Sequence, residues 1–146
     1  MAQLTVYELP DRLFIVQVSG TFKVTPGFAR PLDVSDKDLG ELILGLVTQE
    51  LPDAHISEEE RRALQPTILR ESGYRTWLSL DKHAKLCGVS GKSGRVTIVP
   101  LAGKRFEDRK KGFQQVTDRA VRLERPRPDT VGAAIRQALT LASGLP

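Results

Sequence analysis

Two segments far apart in the chain carry the same helix-opening pattern, and any fold must accommodate both. The first is Ser35-Asp36-Lys37-Asp38-Leu39-Gly40-Glu41-Leu42-Ile43-Leu44-Gly45-Leu46-Val47. The second is Arg127-Pro128-Asp129-Thr130-Val131-Gly132-Ala133-Ala134-Ile135-Arg136-Gln137-Ala138-Leu139. Aligned on Gly40 and Gly132, both read capping residues, aliphatic-Gly, an isoleucine three residues on, then further aliphatics. Ser35 precedes Asp38 at capping-box spacing: a short side-chain oxygen can hold a free amide, and the acid sits at the positive helix end. In the second copy Asp129 or Thr130 can take that role, with Pro126 and Pro128 keeping the preceding chain extended. Leu39, Ile43, Leu46 and Val47 share one helical face, as do Val131, Ile135, Ala138 and Leu139. Glycine in a helix is unfavourable by roughly 1 kcal/mol against alanine. Its double occurrence predicts that each helix approaches another backbone closely, that of a sheet. The echo fits either a pseudo-symmetric core or a dimer face.

The chain has 146 residues, 40% of them hydrophobic, which suits one globular domain over residues 1–146. No stretch is long and apolar enough to span a membrane. Met1-Ala2-Gln3-Leu4-Thr5 lacks the basic start of a secretory signal, so the expected location is the cytoplasm. Cys87 is the only cysteine, which excludes an internal disulfide and a cysteine-based zinc site. Aromatic residues are only 5% of the chain, which argues against a stacking surface for single-stranded nucleic acid.

The formal net charge of +4 conceals an asymmetry. Asp33, Asp36, Asp38, Glu41, Glu50, Asp53, Glu58, Glu59 and Glu60 face only Lys37 over residues 33–60. Residues 82–111 hold Lys82, Lys85, Lys92, Arg95, Lys104, Arg105, Arg109, Lys110 and Lys111 against Glu107 and Asp108. On separate faces, an acidic surface would meet a basic protein, and a basic one nucleic acid or an acidic protein.

Along the chain, Leu4–Tyr7 and Arg12–Val18 read as strands around the turn Leu9-Pro10-Asp11. Thr21–Val24 follows the Ser19-Gly20 turn, and Pro26-Gly27 and Pro31 mark a loop. A helix is expected from about Asp36 to Gln49, ended by Pro52-Asp53. Ser57 and three glutamates open another, running to about Leu64, with Pro66 breaking or restarting it and Gly73 closing it. Arg75–Leu80 reads as a strand or a short ordered lead-in. Lys85–Val89 and Arg95–Leu101 read as paired strands around Ser90–Gly94. Residues 103–112 form a basic loop, Arg119–Leu123 a strand with one wet face, and Asp129–Ala142 the last helix. The sum is an α+β domain: a largely antiparallel sheet flanked by helices.

No catalytic or metal constellation assembles. Gly91-Lys92-Ser93 lacks the earlier glycine and following helix of a phosphate-binding loop, and reads as a hairpin turn. His55 and His83 have no second histidine or cysteine at ligand spacing, and His83 sits in a charged, solvated segment. Trp77 reads as a core anchor and Cys87 as a buried thiol. The acids Glu58, Glu59 and Glu60 are explained by the helix dipole alone. Lys104, Arg105, Arg109, Lys110 and Lys111, flanked by Phe106 and Phe113, form the best nucleic-acid candidate, although Glu107 and Asp108 interrupt it.

Taken in order, these segments resemble the immunity proteins of contact-dependent growth inhibition systems. The likeness is one of layout from about Phe14 to Ser143: a strand-rich start, the Leu39-Gly40 helix, Thr76-Trp77-Leu78 before Lys85-Leu86, Val96–Pro100, the basic loop ending at Gly112-Phe113, Ala120–Leu123 and the Val131-Gly132 helix. Residues 51–74 match nothing specific in that family. The resemblance implies a non-catalytic cytoplasmic protein without cofactor or metal, which binds and blocks the C-terminal toxin domain delivered by a sister cell, often a nuclease. It implies an acidic docking surface, for which Asp33, Asp36, Asp38, Glu41, Glu58, Glu59 and Glu60 are the candidates. Lys104, Arg105, Arg109, Lys110 and Lys111 are the alternative, against an acidic toxin surface or RNA. Leu4–Tyr7 would serve if the toxin adds a strand to an exposed sheet edge.

Overall fold

A computed structural model describes residues 2–19, 22–23, 28–47, 58–103, 113–115 and 119–143. Hairpin chemistry sets the architecture. Leu9 donates its amide to the Arg12 carbonyl at 2.8 Å, closing a two-residue turn at Pro10-Asp11 between β1 (Ala2–Glu8) and β2 (Leu13–Ser19). Ser93 and Gly94, at φ 53° and 80°, close the matching turn between β5 (Lys85–Lys92) and β6 (Arg95–Gly103). Positive φ at both central residues gives the twist that a tight hairpin needs. The turn is therefore narrower than Ser90–Gly94, and Ser90 to Lys92 remain in the strand.

The strands build one eight-stranded antiparallel sheet, ordered β3-β2-β1-β5-β6-β7. β3 (Phe22–Lys23) and β4 (Phe28–Arg30) both pair with β2. β7 (Phe113–Gln115) and β8 (Val121–Glu124) both pair with β6. Four strands are followed by α1 (Asp36–Val47), and four more by α4 (Pro128–Ser143). The register repeats with the order. Leu13↔Arg30 and Ile15↔Phe28 in the first half correspond to Val96↔Leu123 and Ile98↔Val121 in the second. Val18↔Lys23 likewise corresponds to Leu101↔Gln115. The halves meet along β1 and β5, and the pseudo-two-fold axis passes through the Thr5↔Gly88 pair.

The helix echo is the second seat of that axis. A Cβ on Gly40 would overlap the Pro128 carbonyl, and a Cβ on Gly132 would overlap that of Asp36. Each glycine thus admits the first residue of the other helix. The close approach is to a helix rather than to the sheet, and the echo forms a pseudo-symmetric core within one chain. Leu39, Ile43, Leu46 and Val47 join Val131, Ile135, Ala138 and Leu139 over Leu4, Val6, Leu13, Ile15, Cys87, Val89, Val96 and Ile98. Ser35 caps α1 as expected, its Oγ accepting from Asp38 N at 3.1 Å. In α4 Asp129 holds a free first-turn amide as expected, its Oδ1 accepting from Thr130 N at 3.0 Å, but from inside the helix rather than ahead of it. Val131 donates to the Arg127 carbonyl at 3.1 Å, which puts Pro128 at the first helical position, where a missing N–H costs nothing.

α2 (Glu58–Ser72) and α3 (Trp77–His83) lie on the opposite face. Side chains alternate along a strand: Val6 and Ile15 enter the α1/α4 core, while Tyr7, Phe14, Val16 and Leu86 pack with Ile68 of α2 and Leu80 of α3. α2 continues through Pro66, which is exposed, rather than breaking there. The Arg75–Leu80 strand expectation is overturned: Thr76 Oγ1 accepts from Ser79 N at 3.0 Å and opens α3. That cap outweighs the strand preference of Thr76 and Trp77. The expected loop around Pro31 holds the short strand β4, and Arg119 and Ala120 precede β8 rather than form it. The β1 edge expectation is also overturned, because β1 is hydrogen-bonded on both sides. No described helix is long and apolar enough to cross a membrane.

Candidate interaction surfaces

The acidic stretch divides across the sheet. Asp33, Asp38 and Glu41 are exposed at the start of α1, on the α1/α4 face. Asp36 is half-buried and engaged: its Oδ1 accepts from Arg136 Nε at 2.8 Å. The same guanidinium donates to Leu32 O at 3.0 Å and to Val34 O. Arg136 therefore ties α4 to the first residue of α1 and to the loop before it. Glu59 and Glu60 are exposed in the first turn of α2, on the other face, and Glu58 begins that turn. The seven acids thus make two separate groups. The basic loop with Lys104, Arg105, Arg109, Lys110 and Lys111, and also His55 and Ser57, lie outside the described residues.

A different charged surface sits at the β5–β6 turn; Lys92 and Arg95 belong to the basic segment 82–111 read from the sequence, but their grouping with Arg122 was missed. Lys92 faces Arg95, which faces Glu124; in the next row Ser90 faces Thr97, which faces Arg122. Residues directly opposite on antiparallel strands have Cβ atoms about 5 Å apart, so these six form a compact grid. Arg95 Nε donates to Glu124 Oε1 at 2.5 Å. Arg125 adjoins the turn, its amide donating to Gly94 O at 2.8 Å. Ser90, Lys92, Ser93, Arg95, Thr97 and Glu124 line a shallow cleft of about 410 Å³. The legible signal was the alternation of polar residues along both strands once a two-residue turn fixes their register.

The reactive side chains have structural surroundings. Cys87 is buried in the central seam, and burial raises its thiol pKa far above the usual range, which keeps it protonated. His83 is exposed, stacks on Tyr74 with ring centroids 5.4 Å apart, and places Nδ1 2.8 Å from Ser79 O. Gly91-Lys92-Ser93 runs from strand into hairpin turn, with no helix following. The side chain of Trp77 is outside the described set.

With the fold and its surfaces in place, comparison with solved structures finds whole-chain likenesses, among them the following two. A protein of unknown function from Neisseria meningitidis matches with a TM-score of 0.68 and 19% identity, over 96% of this chain and 94% of that one. A chain of the CdiA-CT/CdiI toxin and immunity complex from Yersinia pseudotuberculosis matches with a TM-score of 0.67 and 18% identity, over 95% of each. At these identities the likeness is one of fold. No family model matches the chain, and no curated protein does.

Proposed function

We propose that this chain is a non-catalytic immunity protein, which acts in the cytoplasm by binding and blocking the C-terminal toxin domain of a contact-dependent growth inhibition system. The observation that supports the reading is the whole-chain likeness to a chain of a toxin and immunity complex, with 95% of each chain covered. The layout of strands and glycine-bearing helices points the same way. On this reading the toxin is a nuclease, and exposed acids compete with nucleic acid for its basic surface. Asp33, Asp38 and Glu41 on one face, and Glu58, Glu59 and Glu60 on the other, are then alternative docking groups, since the sheet separates them. Complementary charge mainly accelerates encounter and rejects wrong partners.

The test is calorimetry against the C-terminal domain of the large secreted protein encoded beside this chain, coupled to a toxin-activity assay. The expected result is a Kd below about 100 nM, roughly −10 kcal/mol, with loss of toxin activity. Absence of binding refutes the assignment. Reversing Glu58, Glu59 and Glu60 together should lower the association rate about tenfold at low salt if α2 leads the encounter. An unchanged rate assigns those residues to the helix start alone.

A further inference from the structure

We infer that the sheet face at the β5–β6 turn is a docking surface for an acidic segment of a protein partner, in the place that α2 and α3 hold on the other half. The pseudo-two-fold register makes Tyr7, Leu9, Arg12, Phe14 and Val16 the counterparts of Ser90, Lys92, Arg95, Thr97 and Val99. In the first half this seat is filled. Tyr7, Leu9, Phe14 and Val16 pack beneath Ile68 and Leu80. Arg12 Nη2 donates to Glu71 O at 3.3 Å and to Ser72 O, gripping the carbonyl end of α2. In the second half the seat carries charges and hydroxyls, and Lys92, Arg95 and Arg122 are exposed. Among the described residues, none packs over Lys92, Arg95 and Arg122, whereas Val99 at the inner end of the seat is buried.

The chemistry of the seat selects its occupant. An apolar seat is covered by a segment of the same chain; a seat of hydroxyls and cations stays solvated in the free protein and attracts a partner of opposite charge. Lys92, Arg95 and Arg122 outnumber Glu124, so the complementary surface is acidic. Glu124 accepts from Arg95 Nε and restricts the guanidinium, which lessens the side-chain entropy lost when a carboxylate binds. Nucleic acid fits less well. The grid has no aromatic side chain for stacking, and Glu124 interrupts any phosphate track.

That the partner is the toxin domain rests on the proposed function; the acidic character of the partner does not. The experiment uses the full chain, wild type and the Lys92→Glu/Arg122→Glu double variant, with thermal melting to verify the fold. Against the toxin domain, the variant's Kd should rise at least roughly tenfold, with a flatter salt dependence, and Lys92→Arg should restore most of that contribution. Equal binding by wild type and variant overturns the inference while leaving the proposed function intact. If wild type does not bind the toxin domain, the proposed function fails, and a decaglutamate peptide titrated into the isotope-labelled protein decides the surface. Amide shifts confined to Ser90–Thr97 and Val121–Arg125 support it; their absence overturns it. A 12-nucleotide RNA that binds this surface more tightly than the peptide, and loses affinity in the variant, overturns the assignment to a protein.

Discussion

The two halves of the molecule agree on one face of the sheet and diverge on the other. Across the α1/α4 face, Leu39 and Val131, Gly40 and Gly132, Ile43 and Ile135, and Leu46 and Ala138 occupy equivalent positions, and all are buried. Across the opposite face, Tyr7 is matched by Ser90, Leu9 by Lys92 and Phe14 by Thr97. The difference follows from where the axis runs. At the helix crossing each side chain packs against its counterpart's neighbours, so a change in one half is felt by both. On the outer seats each half packs against something of its own, and the residues are free to differ. The one arginine pair at equivalent positions makes the contrast local: Arg12 is committed to the carbonyls of α2, while Arg95 is 58% exposed and held by a single glutamate.

Substitutions at the axis give the largest expected effect. Gly40→Ala and Gly132→Ala each push a methyl group into the partner helix backbone and should each cost about 3 kcal/mol or more. Because both force the same helices apart, the double variant should lose much less than the sum. Urea denaturation of the singles and the double measures this; strictly additive losses would mean that the two contacts are independent and the axis is only geometric.

The second prediction concerns the half that has its seat filled. Ile68→Ala removes the central α2 side chain beneath which Tyr7 and Phe14 pack, and should cost about 2–4 kcal/mol. Hydrogen exchange should show α2 and α3 opening at lower free energy than β1 and β5. Uniform loss of protection over the whole sheet would show that the insert and the repeated core are one cooperative unit. The smallest effect is expected at the glycine with no counterpart in its own role. A Cβ on Gly45 meets nothing within 4 Å, so Gly45→Ala should stabilise the protein by about 1 kcal/mol. A melting temperature that falls instead would break the distinction between the crossing glycine and the merely helical one.

Much of this architecture was legible because it rests on local chemistry. Ser35 and Asp38 announce a cap that forms, and the apolar stripe of each echoed helix is the stripe that is buried. The glycines announced a close approach, but a sequence carries no statement of what approaches, and it was helix against helix. Thr76-Trp77-Leu78 misled because strand preference was weighed without the cap that Thr76 supplies to Ser79. The acidic candidates were contiguous in sequence and fall on opposite faces, because α1 and α2 are sent to different sides of the sheet. The cationic grid stayed hidden for the converse reason: Lys92, Arg95 and Arg122 become neighbours only through β6 pairing on both sides.

The reciprocal crossing also sets an order of events. β1 takes its inner neighbour from β5, and α1 takes its lid from α4, so neither half closes a core from its own residues. During synthesis the glycine face of α1 must wait until Pro128 and the residues after it have emerged. Contacts of such long sequence separation carry a large loop-closure entropy and make for slow folding. Until then the first half presents an unfinished sheet edge and a bare apolar helix face, the combination that chaperones recognise.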